Sequence, residues 1–146
     1  MSDLAEPFEL PIRVEPADID ELGHVNNVTY LRWVQDVAVA HWMTLAPDAE
    51  KTRLLWIVLR HEIDYLKAAQ RDDAIVARTW VGAATRLRFD RHTEIVRAAD
   101  RSLLARARTV WCPIEAATRR PAHVSAELRA RFSVPPILRA PADDRS

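Results

Sequence analysis

Between Asn27 and Leu45, Val34, Val37, Ala38, His41, Trp42 and Leu45 recur at three- and four-residue steps, with Arg32, Gln35 and Asp36 on the other side. That period predicts one amphipathic helix, opened by Asn26 or Asn27 as N-cap and stopped by Pro47. At about 1.5 Å per residue it is nearly 30 Å long, the one long helix in the pattern. From Leu54 the period falls to two. Leu55, Ile57, Leu59, His61, Ile63 and Tyr65 share a face, while the opposite face turns charged at Arg60, Glu62 and Asp64. Arg71, Asp72 and Asp73 read as a turn before a strand from Ile75 to Val81, and Gly82 to Ala84 read as the next turn. Leu87, Phe89, Thr93 and Ile95 then oppose Arg86, Arg88, Asp90, His92 and Glu94; Leu103, Ala105, Ala107, Thr109 and Trp111 line the last strand. Upstream, Phe8 to Glu15 alternates loosely around Pro11 and reads as an edge strand. Strands joined by short turns run antiparallel. The pattern therefore predicts an α+β fold, an antiparallel sheet with one dry face curled around the helix, Ala105 and Ala107 leaving room for it. Outward faces by alternation include Val76, Trp80, Leu104 and Val110, apolar enough to want a second subunit. Val124 to Phe132 reads as a short terminal helix capped by Ser125, and Pro135, Pro136 and Pro141 as a frayed tail over residues 133–146. The whole of 1–146 reads as one domain with its core over 8–132.

Composition narrows the classes. The chain has 146 residues, 49% of them hydrophobic, with 21 basic and 21 acidic side chains. A neutral balance argues against nucleic acid as the main partner. The lone Cys112 excludes an internal disulfide and fits a reducing, cytoplasmic setting. No stretch approaches the roughly 18 apolar residues of a membrane span, and the acidic start has no apolar segment of the kind a signal peptide needs. The charge is uneven: residues 1–23 hold seven acids against Arg13 alone, and residues 84–108 hold seven arginines against three acids. Apart from Lys51 and Lys67 every cation is an arginine, whose planar fork suits phosphate or carboxylate.

The segment richest in chemistry is residues 18–30, Asp-Ile-Asp-Glu-Leu-Gly-His-Val-Asn-Asn-Val-Thr-Tyr. Three acids, a glycine, a histidine and two asparagines precede a helix N-terminus, which presents open backbone N–H groups and about half a positive charge. Such a terminus can hold a carbonyl oxygen as it becomes an oxyanion, and a carboxylate just before it can act as nucleophile or as general base. The same residues also suit a plainly capped helix whose acids complement its dipole. His41, His92 and Cys112 lack zinc-ligand spacing, so no metal is expected, and Cys112 reads as a buried small residue. The five tryptophans, Trp33, Trp42, Trp56, Trp80 and Trp111, read as packing residues, some of them walls for an apolar group.

The pattern D-x-D-x-x-G-H-V-N-N-x-x-Y, from Asp18 to Tyr30, resembles the hotdog-fold acyl-CoA thioesterases, most closely the 4-hydroxybenzoyl-CoA thioesterase family. The likeness continues through residues 61–67 (His-Glu-Ile-Asp-Tyr-Leu-Lys), residues 85–89 and the strand from Leu103 to Trp111, covering about residues 8–132. It implies a sheet wrapped around a long helix, and hydrolysis of an acyl-CoA or acyl carrier protein thioester. It makes Asp20 the catalytic carboxylate, the backbone N–H near Asn27 the oxyanion donor, and His24 with Asn26 or Asn27 the orienting groups. Asn26, Tyr30 and His61 are expected beside the substrate, although Tyr30 and His61 also suit packing. Arg86, Arg88 and Arg91, with Lys67, are expected to grip the CoA phosphates, which in the family lie near the third and fourth strands, often against another subunit. The resemblance implies a homodimer or tetramer and no cofactor beyond the CoA carried by the substrate. A hotdog hydratase or dehydratase and a non-catalytic acyl-CoA-binding module are the alternatives. The first usually shows a Gly-Asp-x-Asn-Pro-x-His segment that this chain lacks.

Overall fold

A computed structural model describes residues 6–85 and 87–133; Arg86 and the tail after Ser133 lie outside the described residues. In chain order the elements are β1 (Phe8–Arg13), a 3-10 turn (Pro16–Asp18), α1 (Asn27–Leu45), α2 (Asp48–Arg53), β2 (Leu54–Tyr65), β3 (Ala74–Ala84), β4 (Phe89–Arg97), β5 (Leu103–Glu115) and α3 (Ala126–Ala130). The strands form one five-stranded sheet in the order β1-β3-β4-β5-β2, every neighbouring pair antiparallel. The long helix α1 lies across the β1, β3 and β4 side of the sheet. The expected α+β architecture is present.

Its two ends are packed separately. At the N-terminal end of α1, Tyr30, Trp33 and Val37 pack with Val25, Ile75, Ala77, Ile95, Leu104 and Ala105. At the other end Leu54, Val81, Phe89, Leu128 and Phe132 form a second cluster, with Trp42, Trp56 and Trp111 against it. The helix therefore spans two apolar clusters, and burying each large side chain contributes about 1.5–3 kcal/mol. Ser125 caps α3 by accepting from Leu128 N–H at 3.0 Å. The expected short terminal helix is thus formed, and it delivers Leu128 to the second cluster.

The sheet departs from simple alternation in four places. β2 pairs with β5 and not with β3, so residues 66–73 cross the end of the sheet instead of closing a hairpin. The register of β2 shifts between Val58 and Arg60. One extra residue exchanges the faces: Trp56 packs inward against Phe89 and Trp42, whereas Leu55, Ile57 and Leu59 are exposed. Beyond the bulge His61, Ile63 and Tyr65 face inward, opposite Thr109, Ala107 and Ala105. A second shift leaves Leu104 unpaired between Ala105 and Leu103, and Leu104 sits in the core, not on the outer face. β3 runs on to Ala84, so Gly82 is strand, and beyond it Thr85 N–H donates to Arg88 O. A Cβ at Gly82 would lie 2.7 Å from His92 Nε2, so the glycine makes room for that ring, which stacks on Trp80. The outer face is a cross-strand ion network: Arg78 pairs with Glu94 at 2.8 Å, and Arg108 bridges Asp90 and Glu62. The helix α2 was not signalled by any period; at six residues it is too short to show one.

Candidate active site

The loop between β1 and α1 separates its two aspartates into different roles. Asp18 is buried, 3% exposed. Its carboxylate accepts from Glu15 N–H at 2.8 Å and from Arg32 Nη2 at 3.1 Å, and its carbonyl accepts from Asn26 N–H. It is the internal brace that sets the loop against the helix. Asp20 is half-buried, and only its Oδ1 is engaged, accepting from Leu22 N–H at 2.9 Å and His24 N–H at 3.2 Å. Its own backbone N–H donates to His24 O at 2.8 Å and its carbonyl accepts from Gly23 N–H at 3.0 Å. Gly23 takes φ +82°, a left-handed conformation that closes this turn cheaply only without a Cβ. The turn thus fixes one carboxylate oxygen and leaves Oδ2 without a protein partner among the described residues.

The same turn ends at the start of α1. Asn26 is the N-cap; its side-chain oxygen accepts from Val28 N–H at 3.2 Å and its carbonyl from Thr29 N–H at 2.9 Å. Asn27 is the first helical residue, and its N–H has no partner among the described residues. Its carbonyl accepts from the Tyr65 hydroxyl at 3.2 Å. The segment crossing from β2 to β3 closes the other side. Leu66 and Lys67 N–H both donate to Leu104 O, Val25 N–H donates to Ala69 O, and Ala69 N–H donates to the Tyr30 hydroxyl at 2.8 Å. Burial pushes the Tyr30 phenol above its ordinary value, so it stays neutral and serves as a strut. The result is an open depression of about 420 Å³ lined by Asp20, His24, Asn26, Asn27, Tyr30, Tyr65 and Lys67 among others.

Six of the side chains singled out in the sequence, Asp20, His24, Asn26, Asn27, Tyr30 and Lys67, therefore share one depression. Others do not join them. His61 faces the sheet's inner side, its Nδ1 3.0 Å from Thr109 Oγ1, and partial burial holds its imidazole below the ordinary value. Arg88 is exposed on the β3–β4 turn, at the opposite end of the sheet from Asp20. Arg91 does not offer the surface guanidinium that a phosphate grip needs. It is 7% exposed, on the inner face of β4, and donates to His41 Nδ1 at 2.9 Å and Thr79 Oγ1 at 3.1 Å. Arg86 lies outside the described residues. Tyr65, not singled out in the sequence, also lines the depression; its place at the end of an alternating strand two residues before Lys67 was the available signal.

What this arrangement can do is set by its parts: a carboxylate with one fixed and one open oxygen, an unpartnered N–H at a helix N-terminus, and a cation at the rim. The first two suit attack on an acyl carbonyl. No group of three or more His, Cys, Asp or Glu side chains that could hold a metal occurs among the described residues, and none of their helices is long and apolar enough to cross a membrane.

Solved structures show the same fold. The Dynemicin thioesterase, described with bound polyene, aligns with TM-score 0.78 at 19% identity over 88% of this chain and 99% of that one. A 1,4-dihydroxy-2-naphthoyl-CoA thioesterase from Synechocystis aligns with TM-score 0.72 at 22% identity, over 86% of this chain and 95% of that one. A thioesterase from Thermus thermophilus, complexed with coenzyme A and Zn, gives 0.73 at 23% identity, over 85% and 90%. No curated protein matches the chain in sequence. The family model of the Thioesterase-like superfamily matches residues 14–132, which takes in the Asp20 turn, α1 and the sheet from β2 to β5. The chain belongs to that superfamily: it is a thioester hydrolase on the hotdog fold.

Proposed function

We propose that the protein hydrolyses an acyl-CoA thioester to a free acid and CoA, with Asp20 as the essential carboxylate. The observation that supports this most is the Asp20 turn, which fixes Oδ1 through two backbone N–H groups beside the open start of α1. The thioester carbonyl lies against the Asn27 N–H, where the helix terminus stabilises the developing oxyanion; losing one such donor costs about 3 kcal/mol. Asp20 then either attacks the carbonyl and expels the thiolate, leaving an anhydride that water opens to the free acid and Asp20, or takes a proton from a water that attacks the carbonyl and expels the thiolate. His24 and Asn26 orient the water or the acyl group, and Lys67 meets the CoA at the rim. An acyl carrier protein thioester is the other substrate the same groups would accept. The route calls on no cofactor, since CoA arrives as part of the substrate, and it fits the cytoplasm, where a chain with one cysteine stays reduced.

A second copy of the chain completes the site. Asp20 and Arg88 lie at opposite ends of one sheet, so Arg88 reaches the thioester's CoA only from another protomer. A dimer, or a tetramer built from it, is the working unit.

Thiol release measured across short, medium, long and aryl acyl-CoAs, wild type beside Asp20→Asn, tests the assignment. The amide keeps the Oδ1 acceptor and hence the turn, so thermal stability holds while kcat falls by about 10²-fold or more. A mutant as active as wild type would remove Asp20 from the mechanism. Oxygen-18 appearing in Asp20 after one turnover in labelled water would select direct attack over water activation.

A further inference from the structure

The second apolar cluster encloses a cavity of about 260 Å³ at the C-terminal half of α1. Its walls include the rings of Trp42, Trp56, Phe89, Trp111 and Phe132. From Asn27 to Ala38, which also lines it, the helix rises by about 17 Å at its ordinary pitch, so this is not the depression at Asp20. Two guanidinium groups line it, Arg129 at intermediate burial and Arg91 the deeper. Arg91 lines it at 7% exposure and spends a single Nη1 on two neutral acceptors, His41 Nδ1 and Thr79 Oγ1.

Both acceptors are held neutral. A guanidinium only donates, so His41 Nδ1 must accept, which puts the imidazole proton on Nε2. Burial and the Arg91 charge push the His41 value down to about 3. The Thr79 hydroxyl already donates to His92 O at 2.7 Å. Among the described residues no carboxylate stands within ion-pair distance of Arg91. Burial pushes its value down to about 10, which still leaves it charged at neutral pH. An isolated charge in an apolar interior is costly unless something meets it.

The remaining polar atoms of the wall have the same character. The indole N–H groups of Trp56 and Trp111 and the Nε–H of Arg129 are buried without an acceptor among the described residues, and all three residues line this cavity. Of the thirteen lining residues, none has a side-chain oxygen or any other strong acceptor. A wall of aromatic rings, donors without acceptors and a cation without an anion is complementary to one kind of guest: an apolar body ending in an anionic oxygen pair.

We propose that this cavity is a binding site for an apolar carboxylate, an aryl or medium-length alkyl acid, with its carboxylate on Arg91 and its body among Trp42, Trp56, Phe89 and Trp111. The assignment rests on the cavity alone, which within one chain lies at the other end of α1 from Asp20.

The probe pair is 4-phenylbutyrate and its uncharged counterpart 4-phenyl-1-butanol, titrated into the intact protein and followed by the fluorescence of the wall tryptophans. The acid binds at least tenfold more tightly than the alcohol. Arg91→Met, which replaces the guanidinium with an apolar chain, abolishes that preference. Leu128→Trp fills the cavity and loses both ligands, while thioester hydrolysis at Asp20 is read separately. Should Arg91→Met fail to fold, a wild-type crystal structure with 4-phenylbutyrate shows the carboxylate within hydrogen-bond reach of Arg91. Equal binding of acid and alcohol, an acid preference that survives without Arg91, binding undiminished in Leu128→Trp, or a carboxylate placed elsewhere in the crystal would each overturn the proposal.

Discussion

His41 is fully buried between rings, stacked on Phe8 at 4.9 Å and edge-on to Phe132 at 4.8 Å, with the Arg91 charge at 2.9 Å. Protonating it would bury a second cation beside the first, which is why its value falls from 6.5 to about 3. Between those limits the unfolded chain binds a proton that the folded chain refuses. His41 therefore contributes stability that is complete above about pH 6.5 and is lost as the pH falls toward 3, at about 1.4 kcal/mol per pH unit. Urea unfolding of wild type between pH 7 and pH 4.5 should show this loss. His41→Gln, which keeps an acceptor for Arg91 but cannot titrate, should lose roughly 2–3 kcal/mol less over the same interval. Equal losses in the two proteins would mean that His41 is protonated in the folded state. The Asp18 and Asp20 pair makes the complementary point. Both were visible in the sequence as acids before a helix, but only coordinates show that Asp18 is consumed by Glu15 N–H and Arg32 while Asp20 keeps an oxygen open. Nothing in the spacing distinguishes a brace from a carboxylate with an open oxygen, because the distinction lies in which partners the fold brings.

At the scale of elements, the Asp20 turn depends on Gly23. Its φ of +82° is disfavoured for any residue with a Cβ, yet a Cβ there would meet nothing within 4 Å. Gly23→Ala therefore carries only the backbone cost, about 1 kcal/mol, or a few degrees in Tm at this chain length. Gly23→Asn should cost less, since asparagine tolerates that region. Calorimetry of the two variants checks the order, and an alanine variant as stable as wild type would show that the turn relaxes into another shape. The helix, the strand positions and the N-cap were legible because each rests on local chemistry: a 3.6 period, alternation, an asparagine before an apolar run. The pairing of β2 with β5 was not. Leu55 to Tyr65 alternates without a break, and Trp56 and Val58 are apolar too, so neither face announces itself as inner. A single bulge between Val58 and Arg60 then decides which set is buried, and no local preference records it. Arg91 was visible in the sequence as a candidate for the CoA phosphates; its partner on α1, fifty residues earlier, was not.

In the whole molecule the two sheet edges differ. The β1 edge is six residues long and carries Pro11, which blunts it. The β2 edge is twelve residues long and presents Ile57 at 44% and Leu59 at 49% exposure, the pattern of a strand that invites another. Two copies pairing β2 with β2 about a two-fold axis would run antiparallel, with the same patch on both sides. That sets the Leu54 end of one protomer against the Tyr65 end of the other. Arg88 belongs to the Leu54 end and Asp20 to the Tyr65 end, so pairing would bring Arg88 of one copy toward the Asp20 depression of its partner. Placing lysine at both Ile57 and Leu59 should therefore separate the copies through charge repulsion and lost apolar contact. Sedimentation at micromolar concentration would then change from dimer or tetramer to monomer. KM for an acyl-CoA would rise about tenfold or more, the equivalent of roughly 1.4 kcal/mol of lost phosphate contact. Asp20, its turn and the α1 terminus remain within one chain, so hydrolysis of a small thioester without the CoA nucleotide should fall far less than hydrolysis of acyl-CoA. A double-lysine variant that stays dimeric would place the interface on another face, and a wild-type monomer would end the idea that a second copy supplies the phosphate grip.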